Sequence, residues 1–193
     1  MKKWIIAIVT IIVLSFGGLL IHGKTKSTSP TSSNTSTSDQ TRSQSNPAGV
    51  LDYNSRGLTS VGPSVYNQTT ATTLILSNNS IRNLPSQMGK MTNLQVLKID
   101  HNVLDGSLIA EVRLMPLIDL DVSYNNMTGM PAEIGKLNKL VNLNYSYNKI
   151  IGLPNELANL KNNLKTFNLA GNPLSRNTID KLKTELPNTT IIF

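Results

Sequence analysis

Apolar residues recur at a fixed spacing from about position 50 to the end of the chain. In five successive units an apolar residue is followed three and five positions later by two more, the last being Leu76, Ile99, Val122, Tyr145 and Leu169. In most units a polar residue stands between the second and third apolar residues. This alternation of apolar and polar residues is typical of a β-strand with one buried side. Because the units are spaced by 23 residues and once by 24, they predict short strands stacked in register into a parallel sheet.

An asparagine follows each of these predicted strands. The five residues are Asn79, Asn102, Asn125, Asn148 and Asn172, each with an apolar residue two positions further on. The chain must turn sharply after a short strand, which leaves backbone N–H and C=O groups buried, and each unpaired group costs ~1–3 kcal/mol. Since an Asn amide carries donors and an acceptor, we predict that these side chains face inward and form a ladder that satisfies those groups.

The complete pattern, LxxLxLxxNxLxxLP, resembles the leucine-rich repeat family over residues 50–193. Three units end in "NLP", "GMP" or "GLP", and a weaker first unit has Arg56 in place of the asparagine, as a terminal capping repeat often does. The resemblance implies an α/β fold, a solenoid of about six repeats with short parallel β-strands on its concave face and 3-10 or short helices on its convex face. It also implies that the concave face binds a partner.

The segments between the predicted strands form the convex side. In "DGSLIAEVRLMPL" the proline of the pattern is missing and Glu111 holds the apolar anchor position, so Ile109 or Val112 is expected to replace it. The other convex segments predict short helical or 3-10 turns with the anchors Met88, Ile134 and Leu157.

The end of the chain departs from the repeat. An amphipathic helix is predicted by the spacing of Ile179, Leu182 and Leu186, and "TTIIF" predicts a final strand. Residues 173–193 are therefore expected to form a C-terminal cap over an otherwise exposed sheet edge.

The start of the chain predicts a membrane anchor, because residues 4–21 are apolar apart from two hydroxyl residues and two glycines. As a helix this run is about 27 Å long at ~1.5 Å per residue, close to the ~30 Å hydrocarbon core of a bilayer. A cleaved signal peptide, the alternative, would have a shorter apolar run and small residues at its exit, whereas the exit here reads "LLIHGKTK". We predict a transmembrane segment at residues 4–22, a cytosolic head at residues 1–3 and a body on the outer side.

Residues 23–49 predict a disordered linker. The stretch "STSPTSSNTSTSDQTRSQSNPAG" is rich in Ser and Thr and has no large apolar side chain, so burial cannot offset the entropy of ordering it. As a flexible chain it would reach on the order of 28 Å. It would therefore hold residues 50–193 away from the membrane.

Charge and composition exclude several function classes. The chain has 18 Lys or Arg residues, five of them before residue 50, and 11 Asp or Glu residues, one of them before residue 50. Residues 50–193 therefore carry 13 basic and 10 acidic residues. This small excess of positive charge does not suit a nucleic-acid binder. The chain has no cysteine, which excludes disulfides and thiolate chemistry. No Gly-rich phosphate loop or G-x-S-x-G element occurs, and only one histidine, His101, lies beyond residue 22. We predict no enzyme activity, no metal site and no cofactor.

The candidate binding site is the outward side of the predicted sheet. His101, Tyr124 and Tyr147 fall at equivalent positions of successive units, so their side chains should stand side by side. A second row, which includes Ser77, Ser123 and Ser146, is also expected to face outward. Exposed tyrosines are enriched in binding patches, although cross-strand tyrosine pairs also stabilise a sheet by ~0.2–1 kcal/mol without any partner. The predicted partner-binding residues are Lys98, Asp100, His101, Asp119, Asp121, Tyr124, Asn144 and Tyr147.

These features predict a single-pass membrane protein whose extracytoplasmic leucine-rich repeats recognise a protein partner through the concave sheet. Two alternatives stay open: an adhesive or structural envelope protein that binds cell-wall glycan, and a secreted effector released by signal cleavage. Leucine-rich repeat ectodomains of animals and plants commonly carry cysteine-bearing caps. The absence of cysteine therefore favours a bacterial surface protein.

Overall fold

A parallel sheet of seven strands runs through residues 48–193, the part of the chain that the structure, a computed structural model, describes. Its strands are β1 (Val50–Asp52), β2 (Thr73–Ile75), β3 (Val96–Lys98), β5 (Asp119–Asp121), β7 (Asn142–Asn144), β8 (Thr166–Asn168) and β9 (Thr190–Ile192). They lie side by side in chain order, as expected when each repeat adds one strand to the sheet. Two further strands of two residues, β4 (Asp105–Gly106) and β6 (Asn126–Met127), pair with each other in parallel.

The register of the sheet follows the repeat. Leu74 of β2 pairs with Leu97 of β3, which pairs with Leu120 of β5, and the row continues through Leu143 and Phe167. All five side chains are buried, because the central residue of each strand points inward while its two neighbours point outward. The repeat spacing therefore predicted both the pairing and the buried side correctly.

Short helices connect the strands on the other side of the core. The helix α1 (Pro63–Tyr66) belongs to the first repeat, and 3-10 helices follow in later repeats at Ser86–Lys90, Ala110–Leu114, Ala132–Lys136 and Asn155–Leu160. Their buried anchors are Met88, Val112, Ile134 and Leu157. In the irregular repeat Val112 is thus the anchor, one position after Glu111, while Ile109 is only half-buried.

One glycine permits close stacking of two of these helices. A Cβ atom at Gly135 would lie 2.2 Å from the carbonyl oxygen of Glu156, a separation that real atoms do not reach. Gly135 belongs to the helix Ala132–Lys136, and Glu156 belongs to the next one, Asn155–Leu160. A side chain at this position would force the two helices apart.

The last repeat is covered by α2 (Arg176–Glu185) and β9. Ser175 caps the helix, because its hydroxyl accepts a hydrogen bond of 3.1 Å from the backbone N–H of Thr178. Leu182 and Leu186 are buried, whereas Ile179 is half-buried. The helix and the final strand both occur where their patterns predicted them, and β9 pairs in parallel with β8.

The asparagine side chains join each repeat to the one before it. Asn148, for example, is buried. Its Oδ1 accepts a hydrogen bond of 3.0 Å from the backbone N–H of Met127. Its Nδ2 donates to the backbone oxygen of Val122 at 3.0 Å and to that of Tyr145 at 3.1 Å. Equivalent bonds are made by Asn79, Asn102, Asn125 and Asn172. The first repeat lacks such a residue, but the N–H groups of Arg56 and Leu58 both donate to Asn79 of the next.

One core position holds an unusual residue. Tyr145 is fully buried where four other repeats have the aliphatic residues Leu76, Ile99, Val122 and Leu169, and its hydroxyl has no hydrogen-bond partner among residues 48–193. Burial raises the pKa of this phenol well above its ordinary value, so the group stays neutral. The ring fills the core at the expense of a desolvated hydroxyl.

The predicted head (residues 1–3), transmembrane segment (residues 4–22) and linker up to residue 47 lie outside the described residues. Among the helices of residues 48–193, none has both the length and the apolar character needed to cross a bilayer.

We expect Asn148→Leu to lower the free energy of unfolding by roughly 1–3 kcal/mol, because it removes the acceptor of the buried Met127 N–H, while the Val122 carbonyl keeps its bond from Asn125. This loss corresponds to a fall in melting temperature of roughly 3–10 °C, measured by circular dichroism. Asn159→Leu is the control, since Asn159 is exposed. Equal melting temperatures for the two variants would contradict the role of the asparagine bonds.

Candidate functional site

Three aromatic rings stack across neighbouring strands on the outward side of the sheet. The ring centroids of His101 and Tyr124 are 4.3 Å apart with an angle of 14° between the ring planes, and those of Tyr124 and Tyr147 are 4.4 Å apart with an angle of 16°. We call these residues the aromatic stack. Tyr124 is 44% exposed and Tyr147 is 50% exposed. The two tyrosines therefore offer solvent their ring edges and hydroxyls, because their facing surfaces cover each other.

Each residue of the stack has a left-handed backbone. The φ angles are 52° at His101, 51° at Tyr124 and 52° at Tyr147. This conformation costs an L-amino acid roughly 1–2 kcal/mol and is uncommon for bulky side chains. Stacking recovers ~0.5–1.5 kcal/mol for each aromatic pair. Other repeats have smaller residues with the same left-handed backbone at this position: Ser55, Asn78 and Gly171.

Gly171 supports one end of the stack. A Cβ atom built on this residue would lie 2.7 Å from Cδ1 of Tyr147, so the ring lies flat against the glycine backbone. The φ angle of Gly171 is +74°, which also favours glycine. The sequence shows a glycine in line with the tyrosines, but only the structure shows that it forms the surface on which Tyr147 rests.

Asp121 and Asn144, at equivalent positions of β5 and β7, form a hydrogen-bonded pair beside the stack. The Nδ2 of Asn144 donates to Oδ2 of Asp121 at 3.0 Å. The Oδ1 of Asp121 accepts from the N–H and hydroxyl of Ser123, and the Oδ1 of Asn144 accepts from the same groups of Ser146. These bonds fix both side chains at the sheet surface.

Asp100 connects the stack to the N-terminal repeats. Its Oδ2 lies 2.8 Å from Nδ1 of His101, and its Oδ1 accepts a short hydrogen bond from the hydroxyl of Ser77. The imidazole of His101 is thus held by Asp100 on one side and by stacking on Tyr124 on the other. Both carboxylate oxygens of Asp100 are engaged.

The predicted second outward row, Ser77, Ser123 and Ser146, is covered in the structure. The three residues are buried, with exposures of 7%, 4% and 2%. Their hydroxyls donate to the outward side chains of Asp100, Asp121 and Asn144, so these polar groups lie over the serines. Ser123 and Ser146 bond back to the polar residue two positions earlier, and the repeated D-x-S and N-x-S pattern is the signal that indicates a turn.

Asp119 is the least satisfied carboxylate of the site. Partial burial raises the pKa of this carboxyl above its ordinary value, the Lys98 charge lowers it, and the Asp121 charge raises it. Because the folded state favours the protonated acid, the contribution of Asp119 to stability falls as pH rises through that raised pKa. The ionised Asp119 is therefore a group that an added positive charge would stabilise.

All eight predicted site residues lie on one surface. We call it the sheet face, meaning the outward side chains of the seven strands together with the second and third residues after each. Lys98 is exposed on it, Asp100, Asp119, Asp121 and Asn144 are half-buried, and the aromatic stack is exposed. Partial desolvation of the phenol raises the pKa of Tyr124, and the Tyr147 phenol raises it further, so Tyr124 keeps its proton as a donor at neutral pH.

The polar groups of the sheet face are suited to hydrogen bonding with a partner. Within residues 48–193, no group of three or more His, Cys, Asp or Glu side chains is placed to hold a metal ion. The sheet face presents instead carboxylates, amides, tyrosine hydroxyls and an imidazole edge, all of which form hydrogen bonds with a partner.

Comparisons with known proteins identify the fold. No protein-family model matches the chain, and no curated protein sequence matches it. Among solved structures, a leucine-rich repeat protein of Leptospira interrogans is 31% identical over 70% of this chain and 34% of its own, with a TM-score of 0.67. The Arabidopsis receptor kinase HAESA, in complex with the peptide hormone IDA and a co-receptor, is 27% identical over 75% of this chain and 25% of its own, with a TM-score of 0.63.

A plant peptide hormone receptor, RGFR1 in complex with RGF2, is 30% identical over 69% of this chain and 22% of its own, with a TM-score of 0.58. The chain thus spans about a third of the length of the Leptospira protein and about a quarter of each plant receptor.

We expect Gly171→Ala to displace the Tyr147 ring and to lower the free energy of unfolding by roughly 1–2 kcal/mol more than Gly106→Ala does. Gly106 is the matched control, because its φ is also positive, +67°, but a Cβ atom there has no neighbour within 4 Å. Chemical denaturation measures the difference, and weaker nuclear Overhauser contacts between the Tyr124 and Tyr147 rings report the displacement. Equal destabilisation with unchanged ring contacts would mean that Gly171 does not support the stack.

Proposed function

We propose that this chain, a leucine-rich repeat protein over residues 50–193, is a recognition module that binds an extended segment of a protein partner along its sheet face. The role is binding without catalysis. The aromatic stack is the observation that carries the proposal, because three bulky side chains occupy a strained backbone position on an exposed surface. The left-handed backbone itself belongs to the repeat, since Ser55 and Asn78 share it, but among residues 48–193 bulky rings occupy it only in the stack, and exposed tyrosines are typical of binding patches.

The geometry of the stack favours a peptide over a glycan. A sugar ring packs best against an open aromatic face, but the faces within the stack cover each other, and one face of Tyr147 lies on Gly171. Ring edges and hydroxyls remain, beside the polar side chains of Asp121 and Asn144. Such a row of donors and acceptors suits the regularly spaced amides of an extended peptide. The peptide complexes of the plant receptors support the same ligand class.

The sequence supports a location on the outer side of a membrane. Residues 4–22 have the length and composition of a transmembrane anchor, and residues 23–49 have the composition of a flexible linker. We propose that the anchor is retained and that the linker presents the sheet face to partners outside the cell. Release of the body by signal cleavage is the competing arrangement.

Photo-crosslinking on intact cells tests the binding surface. A crosslinking amino acid in place of Tyr147 should capture a partner that mass spectrometry identifies, whereas the same residue in place of Ile151, which is 73% exposed and lies beyond the stack, should not. The double variant Tyr124→Asn and Tyr147→Asn should then reduce the affinity for that partner by about tenfold or more. Asn suits this test because Asn78 occupies the equivalent backbone position naturally. Unchanged affinity in a folded double variant would contradict the proposal.

Deletion of residues 1–23 tests the anchor. We expect the full-length chain to sediment with membranes and to resist extraction by high salt, and the shortened chain to be soluble, because the apolar run supplies the binding energy. N-terminal sequencing of the membrane-bound protein distinguishes a retained anchor from a cleaved signal. A shortened chain that still sediments with membranes would refute the anchor.

A further inference from the structure

The sheet face is acidic although the chain as a whole is basic. The chain carries a formal charge of +7, and residues 50–193 contain more Lys and Arg than Asp and Glu. The sheet face nevertheless holds four acidic residues, Asp52, Asp100, Asp119 and Asp121, and one basic residue, Lys98. Its charge is thus opposite in sign to the rest of the molecule.

These carboxylates differ in how far the protein satisfies them. Asp121 accepts from Ser123 and Asn144, and Asp100 accepts from Ser77 and contacts His101. No donor among residues 48–193 forms a hydrogen bond or an ion pair with Asp119, whose surroundings act on it only through burial and through the charges of Lys98 and Asp121. Asp119 therefore has free acceptor capacity at the centre of the sheet.

Asp119 and the aromatic stack lie toward opposite ends of β5. The register partners of Asp119 are Val96 on one side and Asn142 on the other. The strand ends at Asp121, three residues before Tyr124, the central ring of the aromatic stack. Because Asp119 precedes Tyr124 by five residues, about 16 Å at ~3.3 Å per residue, an extended peptide of about five residues that lies along β5 would cover both.

We propose that the partner segment recognised by the sheet face is basic, and that it places a Lys or Arg side chain on Asp119 while another part of the segment contacts the edges of the aromatic stack. This inference rests on the proposed function and specifies its ligand. A guanidinium or ammonium group would supply the donors that Asp119 lacks, and the surrounding carboxylates would attract it. Acidic segments would be repelled by the same charges.

A random dodecapeptide library displayed on phage tests the proposal. The bait is the full-length chain in mild detergent, and the double variant Tyr124→Asn and Tyr147→Asn serves for counter-selection. We expect the peptides that depend on the stack to be enriched at least about twofold in Lys and Arg and depleted in Asp and Glu, because the sheet face carries a net negative charge.

Single substitutions then assign the charge preference to Asp119. For a selected basic peptide, Asp119→Asn should weaken binding by roughly three- to tenfold, and Lys98→Gln should strengthen it, because Lys98 competes with the ligand for the same carboxylate. Asp180→Asn is the control, since Asp180 lies in α2 away from the sheet face. Asp119→Asn is expected to fold normally, because the folded state already disfavours the ionised side chain.

The outcomes separate the two proposals. Stack-dependent peptides with no basic enrichment, or basic peptides that bind Asp119→Asn and the wild type equally well, would overturn the basic-ligand inference and leave the recognition surface intact. Failure to select any stack-dependent peptide would overturn the proposed peptide-binding function itself. Binding that weakens with added salt in the wild type, and less so in Asp119→Asn, is the expected supporting result.

Discussion

Hydrogen bonding between neighbouring repeats is the interaction on which the rest of this structure depends. A strand of three residues cannot satisfy its own backbone, so each repeat uses the next one as its partner. Hydrogen bonds between neighbouring strands satisfy part of the backbone, and the asparagine side chains satisfy it where the chain turns. Asn125, for example, accepts from the N–H of Leu104 in the preceding repeat and donates to the carbonyl of Ile99. Stability is therefore a property of the array and not of a single repeat.

The same constraint creates the aromatic stack. To bring each asparagine inward, the residue before it takes a left-handed backbone conformation, and its N–H still bonds to the neighbouring repeat, as that of Tyr124 does to Ser146. Side chains at this position are thus held at the separation of adjacent strands, ~4.8 Å. Aromatic rings fit that separation closely, with centroids 4.3 and 4.4 Å apart. Backbone register therefore orders the proposed recognition surface before any partner arrives, which reduces the entropy lost on binding.

Some polar side chains of the sheet face are engaged in hydrogen bonds within the protein, whereas others can bind a partner. The carboxylate of Asp121 and the amide of Asn144 are committed to serines and to each other, so they shape the surface. Asp119 and the tyrosine edges make fewer contacts and can exchange water for a ligand. This surface carries a net negative charge although the chain as a whole is positive, and for this reason we propose a basic ligand. The anchor and linker would serve only to present the surface.

The amino-acid sequence was enough to predict the repeat length, the strand register, the buried leucines and the asparagine positions, because each follows from a pattern that occurs in five successive units. The alignment of His101, Tyr124 and Tyr147 follows from the same pattern. Features that depend on contacts between repeats became visible only in the folded chain. Folding buried Ser77, Ser123 and Ser146, chose Val112 over Ile109 as an anchor, and closed the Tyr147 ring onto Gly171. Within residues 48–193 it also left Asp119 without a donor while engaging Asp100 and Asp121. The aspartates of the sheet face look alike in the sequence. The structure shows that Asp121 is engaged both by Ser123 of its own turn and by Asn144 of the next repeat, whereas Asp119 has neither kind of contact in this part of the chain.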